Sequence, residues 1–132
     1  MEKIVVPANL KSLESAIRFI IQGAVEAGLS EKKLSQLQLA AEEILVNIMN
    51  YAYPDQKGDI EITYSPKQDG VEIEVADQGL PFDPLSLPKP DINAPLEERN
   101  IGGLGIHLVR NTMDEVRYKR EGSRNILTFF KH

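Results

Sequence analysis

Val71-Glu-Ile-Glu-Val-Ala-Asp77-Gln-Gly79-Leu-Pro-Phe-Asp83 runs from a strand pattern into a glycine turn, and the rest of the chain is read outward from it. Val71, Ile73 and Val75 alternate with Glu72 and Glu74, the period of a strand with one buried and one wet face. The same alternation carries Asp77 onto the buried side, close to the layer that covers the sheet. Gly79 follows without a side chain, leaving room for a flat base to approach the backbone. A carboxylate behind such a turn can accept from an adenine amine. Taken alone, Asp-x-Gly is more often an ordinary strand-ending turn, and Phe82 and Asp83 are as readily solvated as pocket-lining.

Upstream, Ile60, Ile62 and Tyr64 alternate with Glu61 and Thr63, so this strand and the one ending at Asp77 form a hairpin turned at Pro66 to Gly70. Before it, Glu31 to about Tyr51 is a helix begun by Ser30, with Leu34, Leu37, Ala41, Ile44, Leu45 and Ile48 on one stripe. Its polar residues Glu43, Asn47 and Asn50 fall together on another side. Four positions apart, Glu43 and Asn47 lie one above the other and can reach the same ligand. In isolation such a pair more often marks a solvated helix face. Here the helix is otherwise largely apolar, so its polar face is narrow. An Asn carbonyl can serve magnesium, which takes one or two protein oxygens beside substrate phosphates and water. Glu43 is then free to accept a hydroxyl proton. Ser12 caps an earlier helix (Leu13, Ile17, Ile20, Ile21, Ala24) that ends at Gly28, and Lys3 to Val6 is a short strand closed by Pro7.

Downstream, periodicity disappears from Leu80 to Ile101, a stretch punctuated by Pro81, Pro84, Pro88, Pro90 and Pro95 and read as a lid over about 80–101. Gly102, Gly103 and Gly105 then open an apolar helix (Ile106, Leu108, Val109, Met113), where backbone N–H groups at a helix start suit phosphate. A lid hinge would use the same glycines. They match neither a P-loop nor a Rossmann fingerprint. Arg99, just before them, can neutralise a terminal phosphate or simply be solvated. Neither His107, inside an apolar helix, nor the terminal His132 supports a zinc or phosphohistidine role. Two last strands, Glu115 to Lys119 and Asn125 to Lys131, join through Gly122 and Ser123. The order of elements predicts a two-layer α+β sandwich, a mixed, largely antiparallel sheet with its helices on one face.

With 132 residues, 42% hydrophobic and 27% charged, the chain suits one domain, 1–132. A net charge of -5 and scattered Lys and Arg argue against nucleic-acid binding. The absence of cysteine removes thiolate chemistry and fits a reducing compartment. No leader and no membrane-spanning apolar run is read, so the expectation is a cytoplasmic protein.

Glu43-Ile-Leu-Val-Asn47 with Asn50-Tyr-Ala-Tyr53, then Asp77-Gln-Gly79, then Gly102-Gly-Leu-Gly105-Ile-His-Leu-Val-Arg110 with Met113-Asp-Glu-Val116, resembles the three nucleotide-binding boxes of the GHKL ATPases. Within that superfamily the chain is most similar to the stand-alone RsbW-like anti-sigma factor serine kinases. The resemblance implies the Bergerat-type sandwich, Mg-ATP, and transfer of the terminal phosphate to a serine or threonine of a small anti-anti-sigma (STAS) partner. It implies Glu43 as base, Asn47 as magnesium ligand, Asp77 with Gly79 at adenine, and Gly102, Gly103 and Gly105 at the phosphates. A homodimer and a sigma-factor partner are family expectations too. The family's lid arginine is matched loosely by Arg99, since Asn100 and Ile101 lengthen its distance to the glycines. Leu80-Pro81-Phe82 also replaces the second glycine common in the superfamily. The alternative reading is a nucleotide-dependent module that sequesters a regulator without catalysis. A sensor histidine kinase is the weaker rival, for want of a phosphoacceptor helix.

Overall fold

The computed structural model describes residues 1–53, 57–81 and 108–132. Strands β1 (Glu2–Pro7), β2 (Asp59–Lys67), β3 (Gly70–Asp77), β4 (Glu115–Glu121) and β5 (Arg124–Lys131) form one sheet in the order β1-β2-β3-β5-β4. Every pairing among the described strands is antiparallel, so the mixed sheet expected from the order of elements is antiparallel throughout. The last strand enters between β3 and β4, which brings its first residues beside the end of β3.

Helices α1 (Leu13–Glu26) and α2 (Glu31–Tyr51) cover one face. Their apolar stripes meet Ile60, Ile62, Tyr64, Val71, Ile73, Val75, Leu127 and Phe129 in a continuous core. The stripe expected on α2 is buried from Leu37 to Ile48, and Ala40 joins it. Ser30 begins α2 as its N-cap, accepting from Lys33 N at 3.4 Å. Ser12 stands at the start of α1 but makes no capping bond with its side chain. Its backbone is already helical because a single 3-10 turn, Leu10–Ser12, leads into the helix.

The β2–β3 turn is tighter than the sequence suggests. Pro66 and Gly70 belong to the strands, pairing with Val71 and Lys67, and the chain reverses over Gln68 and Asp69, where Asp69 has φ 66°. Pro66 fits because β1 pairs only as far as Tyr64, so no β1 partner requires its missing N–H. The hairpin face is as expected, with Ile60, Ile62, Val71, Ile73 and Val75 buried.

Gly23 sits in mid-helix on α1, where glycine costs roughly 0.5–1 kcal/mol relative to alanine. Packing accounts for it: a Cβ there would lie 2.5 Å from Cγ of Tyr64. Tyr64 is buried against Phe19, ring centroids 4.9 Å apart, and its hydroxyl donates to Glu26 Oε2 at 3.1 Å. Gly23→Ala is therefore expected to destabilise the fold by about 1–3 kcal/mol despite its better helix propensity, because the ring must leave its place. Urea unfolding of the variant and the parent measures the difference.

Candidate functional site

The sheet register builds a polar row at one end of the core. Ile60 pairs with Asp77, Asp77 with Asn125, and Asn125 with Arg120, so three polar residues follow one another across β3, β5 and β4. The rows behind it are apolar: Ile62, Val75 and Leu127 beside Tyr118, then Tyr64, Ile73, Phe129 and Val116. Each of these strands thus carries its helix-facing apolar alternation to one polar residue at the same end.

Asp77 is 5% exposed. A buried carboxylate needs hydrogen bonds, since leaving one unpaired costs several kcal/mol or a shift to the neutral acid. Gly79 N and Asn125 Nδ2 both donate to its Oδ1 at 2.9 Å, and among the described residues neither bond falls on Oδ2. Asn125 is equally buried and fully engaged. Its Nδ2 also donates to Leu80 O at 2.8 Å, while its Oδ1 accepts from Tyr118 Oη at 2.6 Å and Arg120 Nη1 at 3.2 Å.

The turn after Asp77 rests on the end of α2. Leu80 N donates to Ala52 O at 2.9 Å, and Gln78 N donates to Tyr53 Oη at 2.7 Å. The Tyr53 hydroxyl in turn donates to Asp59 O at 2.8 Å. Burial raises the Tyr53 pKa, and the charges of Asp77 and Asp59 act in the same direction against the lowering bond from Gln78, so the hydroxyl stays a donor. A Cβ on Gly79 would stand 2.2 Å from Ala52 O, which explains why this position has no side chain. A polar cleft of about 500 Å³ opens beside the turn, lined by Tyr53, Asp59, Glu61, Asp77, Gln78 and Arg124 among others.

Glu43 and Asn47 lie one turn apart on α2, Asn47 buried and Glu43 half-buried. Asn47 Nδ2 donates to Glu43 Oε1 at 3.4 Å. Desolvation raises the Glu43 pKa above 4.5, and the bond from Asn47 works against that rise. Asn47 is five residues from Ala52 and Glu43 nine, so they stand about 7 and 13 Å back along the helix axis from the carbonyl that receives Leu80. Among the described residues no cluster of three or more His, Cys, Asp or Glu could hold a metal by itself. The donor set suits an ion that takes one amide oxygen and completes its shell from phosphates and water, as magnesium does.

Arg99, Gly102, Gly103, Gly105, Phe82, Asp83 and His107 lie outside the described residues, as does most of the segment read as a lid. His132 pairs with Asp114 at 3.2 Å. Sequence alone assigns no role to Asn125, Tyr118 or Arg120, nor a particular one to Tyr53, which closes the first of the three boxes. A signal was present: the alternations Val116-Tyr118-Arg120 and Asn125-Leu127-Phe129 end in a polar residue as Val71-Ile73-Val75-Asp77 does.

Residues 6–131 match the histidine kinase-like ATPase domain, and the chain belongs to that family. Among its relatives, the serine-protein kinase RsbW of Bacillus cereus (strain ATCC 10987 / NRS 248) is 30% identical over 127 residues, 92% of this chain and 79% of that protein. RsbW of Bacillus mycoides (strain KBAB4) is 29% identical over the same shares. The RsbU and RsbW domains of a Mycobacterium tuberculosis protein have a solved structure with a TM-score of 0.64 and 11% identity. It covers 100% of this chain and 32% of that one, a likeness of fold alone. The resemblance carried by the three boxes thus holds at the level of the family. No helix among the described residues is long and apolar enough to cross a membrane.

The opposed influences on Glu43 give a direct test. Carboxyl-detected NMR titration should place its midpoint above the ordinary 4.5, and Asn47→Ala, which removes the lowering bond, should move the midpoint further up. A midpoint that falls in the variant would contradict the pairing.

Proposed function

We propose that the chain is an ATP-dependent serine/threonine-protein kinase and anti-sigma-type regulator that transfers the terminal phosphate of ATP to a hydroxyl of a small anti-anti-sigma (STAS) partner. The observation that carries the reading is Asp77: a buried carboxylate whose Oδ1 is taken by Gly79 N and Asn125 Nδ2, beside a turn with no Cβ. Oδ2 remains to accept from a ligand amine. Adenine presents an exocyclic amine, whereas guanine presents a carbonyl at the equivalent position and would set acceptor against acceptor.

With the base at Asp77, the phosphates run back along α2 toward Asn47 and then Glu43, the order in which the helix presents them. Asn47 Oδ1 would hold magnesium, which supplies charge neutralisation on the phosphate oxygens when bound. The same amide keeps Nδ2 toward Glu43, so one side chain serves both ends of the site. Glu43 orients the partner's hydroxyl and accepts its proton as the oxygen attacks the terminal phosphorus, whose bond to the bridging oxygen of the β-phosphate breaks as ADP leaves. Gly102, Gly103 and Gly105 are assigned to the phosphates and Arg99 to the charge on the transferred group. The reading includes a sigma factor as second partner, a homodimeric assembly and a cytoplasmic setting, each of them only what the resemblance to the RsbW-like kinases implies.

Glu43→Gln should lower phosphate transfer roughly 10²–10⁴-fold while sparing ATP binding, because a positioned base acts on the rate. Asp77→Asn should weaken ATP binding by about 1–3 kcal/mol, since its amide cannot serve both its donors and adenine. Radiolabelled transfer to candidate STAS-like proteins reads the first, and calorimetry reads the second. ATP binding without transfer to any partner would favour a sequestering module instead.

A further inference from the structure

Arg120 lies on β4, two strands from Asp77, and belongs to no nucleotide-binding box of the sequence. Its place follows from register: it pairs with Asn125, which pairs with Asp77. Arg120 Nη1 donates to Gly79 O at 2.9 Å and to Asn125 Oδ1 at 3.2 Å, and Nε donates to Gly122 O at 3.2 Å. One guanidinium therefore holds the turn behind Asp77, the side chain that donates to Asp77, and its own hairpin.

The chemistry of these three groups fixes an orientation. Guanidinium is donor only and the ionised carboxylate is acceptor only, while an asparagine amide has one end of each kind. Asn125 must then present Oδ1 to Arg120 and Nδ2 to Asp77, as observed. Rotating the amide by half a turn would set NH₂ against the guanidinium and an oxygen against the carboxylate. Tyr118 cannot enforce this, because a hydroxyl accepts as readily as it donates. The Asp77 carboxylate and the Leu80 carbonyl, both acceptors only, hold the Nδ2 end, and Arg120 adds the donor that holds the Oδ1 end and ties it to the Gly79 carbonyl.

We propose that Arg120 is a positioning residue for base recognition: by locking the Asn125 amide and the Gly79 carbonyl, it keeps Asp77 Oδ1 occupied and Oδ2 presented to adenine. The proposal rests on the reading of Asp77 as the adenine acceptor. It makes Arg120 a determinant of preference for ATP over GTP without any contact to the nucleotide. Lysine keeps the charge and a nitrogen able to donate to both acceptors, but it loses the Nε bond to Gly122 O that anchors the planar guanidinium, so it substitutes only in part.

Calorimetry with ATP and with GTP in magnesium buffer, on the parent, Arg120→Met, Arg120→Lys and Asp77→Asn, tests it. Losing the lock should raise the ATP dissociation constant of Arg120→Met about tenfold, the scale of one hydrogen bond to a charged group, and leave that of GTP unchanged. Arg120→Lys should fall between that variant and the parent. Arg120 is exposed, so its variants are expected to fold, and thermal unfolding checks this. If Arg120→Met weakens both nucleotides equally, or leaves the ATP-to-GTP ratio at the parental value while Asp77→Asn lowers it, the proposal is overturned and the Asp77 reading stands. If Asp77→Asn itself leaves ATP affinity unchanged, the reading of Asp77 fails and takes the proposal with it.

Discussion

The hydrogen bond from Leu80 N to Ala52 O joins the end of the central strand to the end of the long helix, and the geometry of the site depends on it. The bond can form only if the preceding residue lies flat against the helix terminus, which the missing Cβ of Gly79 permits. It also uses a carbonyl that the helix leaves unpaired at its end, so the strand-to-helix contact satisfies two backbone groups together. Through it, Asp77 is held at a set distance along α2 from Asn47 and Glu43. A rigid ligand with a base at one end and a charged tail at the other needs such a spacing.

A polar row at the edge of an apolar core is stable only when every member is bonded. Here it is: Asp77, Asn125, Tyr118 and Arg120 satisfy one another and the backbone of the turn, and no buried side-chain polar atom of the described residues lacks a partner. On the opposite sheet face, Glu61 lies between Lys3 at 2.9 Å and Arg124 at 3.5 Å, and Glu72 faces Arg117 at 3.7 Å. Those pairs are well solvated, and exposed ion pairs contribute little to stability. The two faces thus use charge differently, one for solubility and the other to hold a single arrangement of donors and acceptors.

Much of this was legible in the sequence because period and punctuation are local properties. Alternation gave the buried face of β2 and β3 and put Asp77 on it, and helical spacing gave α2 almost to the residue, with Glu43 and Asn47 together. The sequence misleads at the β2–β3 turn because Pro66 and Gly70 read as breakers, whereas the end of β1 leaves Pro66 without a ladder partner to deprive. Ser12 reads as a side-chain cap because the sequence does not disclose the 3-10 turn that leads into the helix. Asn125 and Arg120 were missed for a different reason. Alternation marks each of them as the polar end of its own strand, but their neighbourhood is created by β5 entering the sheet between β3 and β4, and spacing within a strand does not say which strands lie side by side.

That insertion also explains why the turn's support comes from the far end of the chain. Had β4 paired directly with β3, its twist and register would have set a hairpin beside Asp77 with no second strand to pass a donor inward. With β5 between them, the asparagine lies one strand spacing from the carboxylate and the arginine two, about 5 and 10 Å. A long guanidinium side chain can cover that span and still reach the Gly79 carbonyl, and a shorter donor on β4 could not. The topology therefore selects both residue types: a two-ended amide in the middle, where it must accept and donate, and a long donor at the edge, where it must reach.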